Sequence, residues 1–392
     1  MADVVVKPVS SWFDRQRFVD FAWTLYRGDS NWMPPLRGNQ RELLGYKRHP
    51  FHDSAEMQTF LAWRNGEVCG RIAAIVNHEH NRVFQENRGF FGFFEAVNDQ
   101  VVANALFDAA RDWLAQRGIA EVRGPANPSM NYECGLLVEG FDSPPTFMMT
   151  YNPPYYAELF ENYGFRKTHD LLAFIGHKEQ LPKVESQLGS LASQAQERCQ
   201  ATVRPLNTKR FTQDVELFLD LYNRSLVAMW GFVPLPAAEL RMLAKSMRHL
   251  LIPELSLIAE VDGQGVGAII GLPDYNPRIR AINGRLFPFG FIHLLGNRKG
   301  MKRIRVLSIN VVPEYQRWGL GLVLMRSLVP KAMELGIEEA EFSWVSEDNT
   351  MAVLGLEKGG AKLYKTYRMY DYDAALVGKM AESRAGELLA DR

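Results

Sequence analysis

The chain changes from a strand pattern to a helix pattern across Val311-Val312-Pro313-Glu314-Tyr315-Gln316-Arg317-Trp318-Gly319-Leu320-Gly321. Residues 305–310 alternate as in a half-buried strand, and residues 322–333 carry apolar side chains at helical spacing. The two glycines allow a tight turn in which several N–H groups point the same way. At the start of a helix such groups form a cradle for a pyrophosphate, and the arginine can add a charge-assisted hydrogen bond. This stretch therefore predicts an anion-binding turn.

The composition is that of a globular chain, and we expect no nucleic-acid partner. The 392 residues are too many for one ordinary core, so we expect two domains. Hydrophobic residues make up 47% and charged residues 23%, as in folded globular proteins. Lysine plus arginine equals aspartate plus glutamate at 45 each, so no overall positive field would attract nucleic acid.

Cysteine usage and the apolar runs predict a cytoplasmic protein. Cys69, Cys134 and Cys199 are too few for a disulfide framework, and none has metal-ligand spacing, so we expect no metal. The first residues, Met-Ala-Asp-Val-Val-Val-Lys-Pro, lack the features of an export signal. No apolar run approaches the roughly 20 residues needed to span a bilayer. Any contact with lipid is therefore expected at the inner face of the membrane.

The chain reads as a duplication. Segments of the first half correspond, in the same order and at nearly constant spacing, to segments of the second half. The pairs are 6–9 with 203–206, 65–70 with 262–267, and 159–165 with 355–361. An ordered set of matches indicates two copies of one domain. We predict domains at 1–180 and 201–380, joined by a polar, helix-prone connector at 181–200.

Each copy has the same predicted order of elements. A short strand and one or two helices lead to a hairpin, turned by Asn65-Gly66 in one copy and around Asp262-Gly263 in the other. A helix ending near Gly118 or Gly336 follows, and then a strand, a short helix and closing strands. This order predicts an α/β (α+β layered) fold, with a mixed, mostly antiparallel, twisted sheet flanked by helices in each copy.

The Gln-x-x-Gly-x-Gly turn at 316–321, set between strand and helix, resembles the coenzyme A loop of the GNAT superfamily of acyl-CoA transferases. GNAT domains also have this order of elements, and the resemblance covers nearly the whole chain. The matching positions of the N-terminal copy, about 98–103, contain no glycine. That copy resembles the non-catalytic half of tandem GNAT enzymes. We therefore expect the thioester chemistry in the C-terminal copy.

The resemblance implies acyl-CoA as co-substrate, without a metal. In GNAT folds two neighbouring strands separate, here expected near 309–312 and 342–346, and the pantetheine arm lies in the gap. Main-chain groups of the first strand would pair with it and polarise the thioester carbonyl. The implied coenzyme contacts are Val311, Val312, Gln316, Arg317, Trp318, Gly319, Leu320, Gly321 and Asn349.

The catalytic groups are predicted near the end of the second strand. Glu347 is the first candidate for the base that accepts the amine proton. Its alternative role is to help cap the helix that follows. Many GNAT enzymes protonate the thiolate with a tyrosine at the position where this chain has Leu356. The acid is then another group, and we predict Tyr364, with Tyr367 and bulk water as alternatives. Both tyrosines also fit a purely structural role in a closing strand.

Two further segments bear on the substrates. Residues 286–295 are apolar and aromatic, and basic residues follow up to 305, which predicts peripheral contact with an anionic membrane through 286–305 or an acyl tunnel beside the coenzyme phosphates. The alternative is a buried strand edge followed by a solvated basic loop. Loops rich in proline, asparagine and tyrosine at 124–133 and 151–156 make Asn131, Glu133 and Tyr151 candidate acceptor contacts, unless these loops are only structural.

These segments, with the stretch Trp344-Val345-Ser346-Glu347-Asp348-Asn349, resemble tandem GNAT proteins related to bacterial ceramide synthases. That family implies transfer of a fatty acyl group from acyl-CoA to a long-chain amine, a sphingoid base. One alternative is transfer of an acetyl group from acetyl-CoA to a small polar amine. The other is a non-catalytic module that binds acyl-CoA.

Overall fold

The computed structural model describes residues 3–227, 229–296 and 300–373. The chain forms two compact units. Unit 1 runs to Asp170 and resumes at Tyr367, whereas unit 2 comprises Leu171–Thr366. These two units are defined by which residues pack together, whereas the domains predicted at 1–180 and 201–380 are defined by the repeat in the sequence. The predicted domain ranges therefore stay a prediction. Residues 374–380 of the second range lie outside the described residues.

Unit 1 contains a mixed sheet with helices packed on it. Its strands are β1 (Val5–Pro8), β2 (Ala55–Arg64), β3 (Glu67–Asn77), β4 (Arg88–Ala96), β5 (Glu121–Gly124), β6 (Ala126–Asn127), β7 (Glu133–Cys134), β8 (Leu136–Glu139) and the start of β9 (Arg166–His177). Its helices are α1 (Trp12–Leu25), α2 (Arg37–Leu43), α3 (His78–Phe84), α4 (Gln100–Ala115) and α5 (Tyr156–Tyr163). Strands β1 to β4 pair antiparallel in sequence order, and β4 pairs parallel with β5.

Unit 2 contains a sheet of the same kind. Its helices are α6 (Leu181–Cys199), α7 (Phe211–Ser225), α8 (Ala237–Met247), α9 (Asn276–Ala281), α10 (Gly290–Leu295), α11 (Pro313–Gln316), α12 (Leu320–Glu334) and α13 (Thr350–Lys358). Its strands are β10 (Thr202–Pro205), β11 (Ser256–Val261), β12 (Gln264–Pro273), β13 (Arg303–Val311), β14 (Glu339–Ser346) and the start of β15 (Lys362–Asp373). Strands β10 to β13 pair antiparallel in order, and β13 pairs parallel with β14. The predicted layered α/β class is confirmed.

The last strand of each copy pairs with a strand that comes from the other copy. The end of β9, from Leu171 to His177, pairs antiparallel with β14 in unit 2. The end of β15 pairs antiparallel with β5 in unit 1, where Asp371 accepts hydrogen bonds from Arg123 at 2.7 and 2.8 Å. Tyr370 of the same strand packs 5.5 Å from the ring of Phe160 in the core of unit 1. A strand from the end of the chain therefore completes the first unit.

Local sequence signals account for the turns. The hairpin between β2 and β3 turns at Asn65 and Gly66, with φ of 53° and 81°. The hairpin between β11 and β12 turns at Asp262 and Gly263, with φ of 50° and 74°. Positive φ at both central residues is the geometry that asparagine-glycine and aspartate-glycine pairs favour. Both predicted hairpins are confirmed.

The length and apolar character of the described helices decide whether any of them could span a membrane. Among residues 3–373, apart from the undescribed positions, none of the helices combines the length and apolar character that crossing a bilayer requires.

His80 makes the stability of unit 1 sensitive to acid. Its ring lies between Phe84 and Phe90, with centroids at 4.6 and 4.8 Å. Burial lowers the pKa of His80 from 6.5 to about 4. The unfolded chain therefore binds a proton before the folded protein does, and stability that is present above pH 6.5 is lost as the pH falls towards 4. Between pH 7 and pH 5 the free energy of unfolding should fall in both proteins, and in the His80→Phe variant this fall should be about 2 kcal/mol smaller than in the wild type.

Urea unfolding of the full chain at pH 7 and at pH 5 measures this difference. His78 lies on the same helix but is exposed, so His78→Gln is the matched control and should keep the full acid sensitivity. An unchanged pH dependence in His80→Phe would show that another group carries it.

Candidate active site

The sheet of unit 2 opens between β13 and β14. Their parallel pairing covers only Arg303–Val306 opposite Glu339–Phe342. Beyond this point β13 stays paired with β12 as far as Val311, and β14 stays paired with β9 at Val345 and Ser346. The predicted separation of the two strands is present, and one edge of β13 is left facing a gap.

Alternation of main-chain groups along β13 decides which residues face the gap. The N–H of Val312 donates to Val266 O at 3.0 Å, and its carbonyl accepts the Tyr315 N–H at 3.0 Å. Because successive residues of a strand point to opposite edges, the main-chain groups of Ile309 and Val311 face the gap. The predicted coenzyme contact through the main chain of Val312 therefore needs correction, since both groups are already bonded. The N–H and carbonyl of Ile309 and the N–H of Val311 are the main-chain groups that this pairing leaves facing the gap.

A side chain braces the turn that follows β13. The amide nitrogen of Gln316 donates to Val311 O at 2.9 Å and to Ser225 O at 3.4 Å. These bonds tie the short helix α11 to the end of β13. Gln316 therefore holds the shape of the turn, which is a physical reason for a glutamine three residues before the first glycine.

The start of α12 presents unpaired donors. Gly319 has φ of 80°, a left-handed conformation that favours glycine, and its carbonyl accepts the N–H groups of Leu322 and Val323. The N–H groups of Leu320 and Gly321 are left without an acceptor in their own helix. A Cβ at Gly321 would meet only Ile309 Cγ2, at 3.8 Å, so the space in front of this turn is open. The predicted cradle has the geometry that binds an anion.

Charged and aromatic side chains border this cradle. Arg317 is exposed and forms no ion pair within the described residues. The ring of Trp318 lies 5.2 Å from that of Tyr315 and 5.1 Å from the guanidinium of Arg198 in α6. Arg317 is thus available to an anionic ligand, whereas Trp318 is partly held by its neighbours.

The predicted connector at 181–200 is largely helix α6, and it supports the cradle. Arg326 of α12 donates to Glu185 Oε1 at 2.8 Å and to Ser193 Oγ at 2.6 Å. A Cβ on Gly319 would lie 3.1 Å from Cβ of Ala195. Helix α6 therefore packs along α12 and restricts the turn from behind.

A buried polar cluster lies at the closed end of the gap. Arg305 and Glu341 stand opposite each other one pair before the strands separate, and both are almost fully buried. The hydroxyl groups of Ser343 and Tyr364 donate to the two carboxylate oxygens of Glu341. Arg305 Nε donates to Ser343 Oγ at 3.0 Å, and its guanidinium lies 4.9 Å from the ring of Trp344. A carboxylate is thus held in place where the gap begins.

Sequence reasoning missed Glu341 and Ser343, and it placed Arg305 in an exposed basic group. A signal was present, because Glu341 and Ser343 recur with the period of a strand, which puts polar side chains on one face of β14. Tyr364, the predicted acid, does join this cluster. Tyr367, the alternative acid, is fully buried in unit 1, as its structural alternative expected.

The other predicted residues of unit 2 lie beyond the end of β14. Glu347 is half-buried in the turn after the strand. Asn349 is the N-cap of α13, and its side-chain oxygen accepts the Ala352 N–H at 3.1 Å. Asparagine thus holds the capping position that was the alternative for Glu347. The role of Glu347 as the catalytic base and the contact of Asn349 with the coenzyme stay predictions.

The predicted acceptor residues all belong to unit 1. Asn131 lies in a turn, Glu133 lies in β7, and the Tyr151 hydroxyl donates to Asp29 Oδ2 at 2.9 Å. Burial, with a contribution from Asp29, raises the pKa of Tyr151. The predicted coenzyme turn belongs to unit 2. The part of these three residues in binding an acceptor therefore stays a prediction.

In unit 1 the corresponding gap is filled by the chain itself. The pairing of β4 with β5 ends at Phe90 opposite Arg123, just as the pairing of β13 with β14 ends in unit 2. Here β6 enters the space: a Cβ on Gly92 would lie 1.8 Å from Ala126 O, and Asn127 Oδ1 accepts the Phe93 N–H at 2.6 Å. The segment occupies the edge along which a pantetheine would lie.

The helix that follows this gap also has its N-terminus occupied. Asp99 caps α4 by accepting the Val101 N–H at 2.8 Å, and it pairs with Arg64 at 2.7 Å. A carboxylate thus holds the position where a phosphate would bind and would repel one. The N-terminal copy lacks glycines at 98–103 and has replaced the cradle with an internal anion.

The comparisons with known proteins agree with this geometry. A family model described as Acetyltransferase (GNAT) family matches residues 215–356. A protein named bacterial ceramide synthase, from Caulobacter vibrioides, is 35% identical over 383 residues that cover 94% of this chain and 97% of the relative. The chain belongs to the GNAT acyltransferase family. The expected relationship to tandem GNAT proteins of the bacterial ceramide synthase type is confirmed.

Other relatives extend the comparison. Protein YghO of Escherichia coli K12 is 35% identical over 364 residues, covering 91% of this chain and 92% of the relative. Among solved structures, a tandem GNAT protein from the clavulanic acid biosynthesis pathway matches with a TM-score of 0.56 and 10% identity, covering 95% of this chain and 99% of that one. At this identity the likeness is one of fold. Membership of the GNAT family makes the chain an N-acyltransferase, and GNAT enzymes use acyl-CoA.

Proposed function

We propose that this GNAT enzyme transfers a long-chain acyl group from acyl-CoA to the amine of a lipid-like, sphingoid-type acceptor. The observation that supports the transfer most directly is the gap in unit 2, with a helix N-terminus at its open end and a buried carboxylate at its closed end. The acyl and acceptor classes rest on the relative named bacterial ceramide synthase, which matches along nearly the full length of both chains.

The acyl-CoA would bind along the free edge of β13. The N–H groups of Leu320 and Gly321, with Arg317, would hold the diphosphate. The N–H and carbonyl of Ile309 and the N–H of Val311 would hydrogen-bond the pantetheine, as a neighbouring strand would. This pose puts the thioester near Val306 and Phe342, where the two strands meet.

The reaction forms a bond between the amine nitrogen and the acyl carbon and breaks the bond between that carbon and sulfur. One proton leaves the nitrogen, and the departing thiolate takes up one proton from bulk water. The hydroxyl proton of Tyr364 already points at Glu341. The tyrosine oxygen can therefore accept a proton from the amine while it passes its own to Glu341, which assigns this pair the part of base. Arg305 and Ser343 orient the carboxylate. Glu347 is the alternative base, and the predicted part of Tyr364 as an acid remains its alternative role.

The acceptor and donor are tested together in one assay of the purified chain. Long-chain acyl-CoA and acetyl-CoA are each offered with a sphingoid base and with a panel of small polar amines, and free thiol release is measured with product mass. Transfer of the long chain to the sphingoid base is the expected result. Turnover with acetyl-CoA and a polar amine alone would favour the first alternative. Coenzyme binding without transfer to any amine would favour a non-catalytic module.

We also propose that the enzyme works in the cytoplasm, at the inner face of the membrane. Cys69, Cys134 and Cys199 are free and buried, as expected in a reducing compartment. A long-chain amine resides in the membrane, so an enzyme that uses it has to reach the membrane surface.

A further inference from the structure

An exposed apolar tip stands on the connection between β12 and β13 in unit 2. Helices α9 and α10 form a hairpin in this connection. Its turn and the first part of α10 carry the side chains of the tip, which we define as Phe287, Phe289, Phe291 and Ile292. Their exposed fractions are 82%, 72%, 45% and 57%. Exposed aromatic residues grouped in this way mark an interaction surface rather than ordinary solvent-exposed side chains. The alternative expected from the sequence, a buried strand edge, is wrong because this segment is helical and exposed.

The hairpin is firmly built. Arg278 Nη1 donates to Leu294 O at 3.1 Å and to Gly296 O at 2.6 Å, which holds the end of α10 against α9. Ile279 and Leu294 are buried and anchor the two helices in unit 2. A Cβ on Gly290 would lie 2.0 Å from Arg285 O, so the turn closes as tightly as only glycine allows. The tip is therefore presented on a fixed support and does not depend on a loose loop.

The charge of the hairpin selects the partner. Between 275 and 296 the sequence contains Arg278, Arg280, Arg285 and His293 and no acidic residue. Arg280 and Arg285 are exposed. Arg298 and Lys299 continue this basic run in the sequence but lie outside the described residues. Apolar side chains that can enter the acyl boundary, next to cations that attract anionic headgroups, are the features of a protein that binds a membrane surface.

We propose that this tip inserts into the surface of a bilayer containing anionic lipids. In the sequence the hairpin precedes β13, whose fourth residue, Val306, is the last one paired with β14 before the two strands separate. If the proposed function holds, the tip would bring the closed end of the gap close to the lipid. The binding itself does not depend on catalysis.

Vesicle co-sedimentation of the full chain tests the proposal. The vesicles are phosphatidylethanolamine with phosphatidylglycerol, or phosphatidylcholine alone. The wild type should bind the anionic vesicles and bind less as salt is raised. The variant Phe287→Ser/Phe289→Ser/Ile292→Ser should lose at least about tenfold of this partitioning. Arg280→Gln and Arg285→Gln should each lose roughly fivefold on anionic vesicles only.

A matched control removes apolar surface elsewhere. Trp12 and Phe13 in unit 1 are 68% and 66% exposed, and Trp12→Ser/Phe13→Ser should keep vesicle binding. Thermal unfolding confirms that each variant is folded, which is expected because the changed side chains are exposed. Binding unaffected by the triple change, or equally weakened by the control, would overturn the proposal. So would a dimer of the wild type that the triple change dissociates without any vesicle binding, since the tip would then contact a second copy.

Binding and catalysis are read separately. If the tip serves access to lipid, the triple variant should lose turnover of a vesicle-embedded amine and keep turnover of a detergent-dispersed one. Vesicle binding without any acyl transfer would support the tip and contradict the proposed function. Transfer in vesicles that is unchanged by the triple variant would contradict the role of the tip.

Discussion

Replacing Gly321 with valine should lower the affinity for coenzyme A by about a hundredfold while leaving the protein folded, because two charge-assisted hydrogen bonds to the diphosphate would be lost. A Cβ at this position meets the protein only at Ile309 Cγ2, 3.8 Å away, so the fold accepts it. The two valine methyl groups would instead stand in front of the N–H groups of Leu320 and Gly321. Isothermal titration with coenzyme A measures the loss, and thermal unfolding measures the stability.

Gly38→Val is the matched control for this change. Gly38 is the second residue of α2, as Gly321 is of α12, and a Cβ there has no neighbour within 4 Å among the described residues. Its affinity should equal that of the wild type. The same change at Gly319 would be harder to interpret, since its φ of 80° and its closeness to Ala195 add strain of their own. Unchanged binding in Gly321→Val would place the diphosphate elsewhere.

Replacing Glu341 with glutamine should lower kcat by roughly a hundredfold to a thousandfold with little change in coenzyme A affinity, because proton transfer contributes about that much to catalysis. Glutamine keeps the size of the side chain but cannot take the proton that Tyr364 passes on. Tyr364→Phe should cause a similar loss. Since the two residues act as one unit, the double variant should lose little more than either single one. Steady-state kinetics with the long-chain donor measure these losses.

Two control variants separate the possible bases. Glu339→Gln lies on the same strand, where Glu339 pairs with Arg303 at 2.7 Å, and it should keep most of the activity. Glu347→Gln tests the base predicted from the sequence. If Glu347→Gln loses turnover and its pH–rate profile changes while Glu341→Gln stays active, Glu347 is the base and the buried carboxylate is structural.

Signals confined to a few neighbouring residues could be interpreted without the structure. The strand-to-helix change at 311–321, with glycine at the position that has a positive φ, predicted the turn that the structure shows. The hairpins at Asn65-Gly66 and Asp262-Gly263 were equally local. The loss of glycine at 98–103 indicated that the first copy has no such turn. In each case the backbone conformation follows from the residue types in place, so no distant contact had to be known.

The contacts that carry the proposed chemistry could not be predicted in the same way. Glu341 and Tyr364 lie on different strands, and their hydrogen bond depends on how the end of unit 2 folds back. The main chain of Val312 was expected to face the ligand, but the pairing with β12 points it the other way. A one-residue difference in register exchanges the two edges of a strand, and sequence patterns locate a strand less accurately than that.

From its sequence alone, this protein could be recognised as a GNAT acyltransferase, and its glycine-containing turn between strand and helix could be predicted, because a turn of this kind depends on local backbone geometry. Only the tertiary structure decided that β6 fills the gap of unit 1, that a buried glutamate closes the gap of unit 2, and that a phenylalanine-rich hairpin stays exposed. These features depend on which distant segments pack together. The burial of a side chain is a property of the assembled fold, and neighbouring residues in the sequence do not determine it.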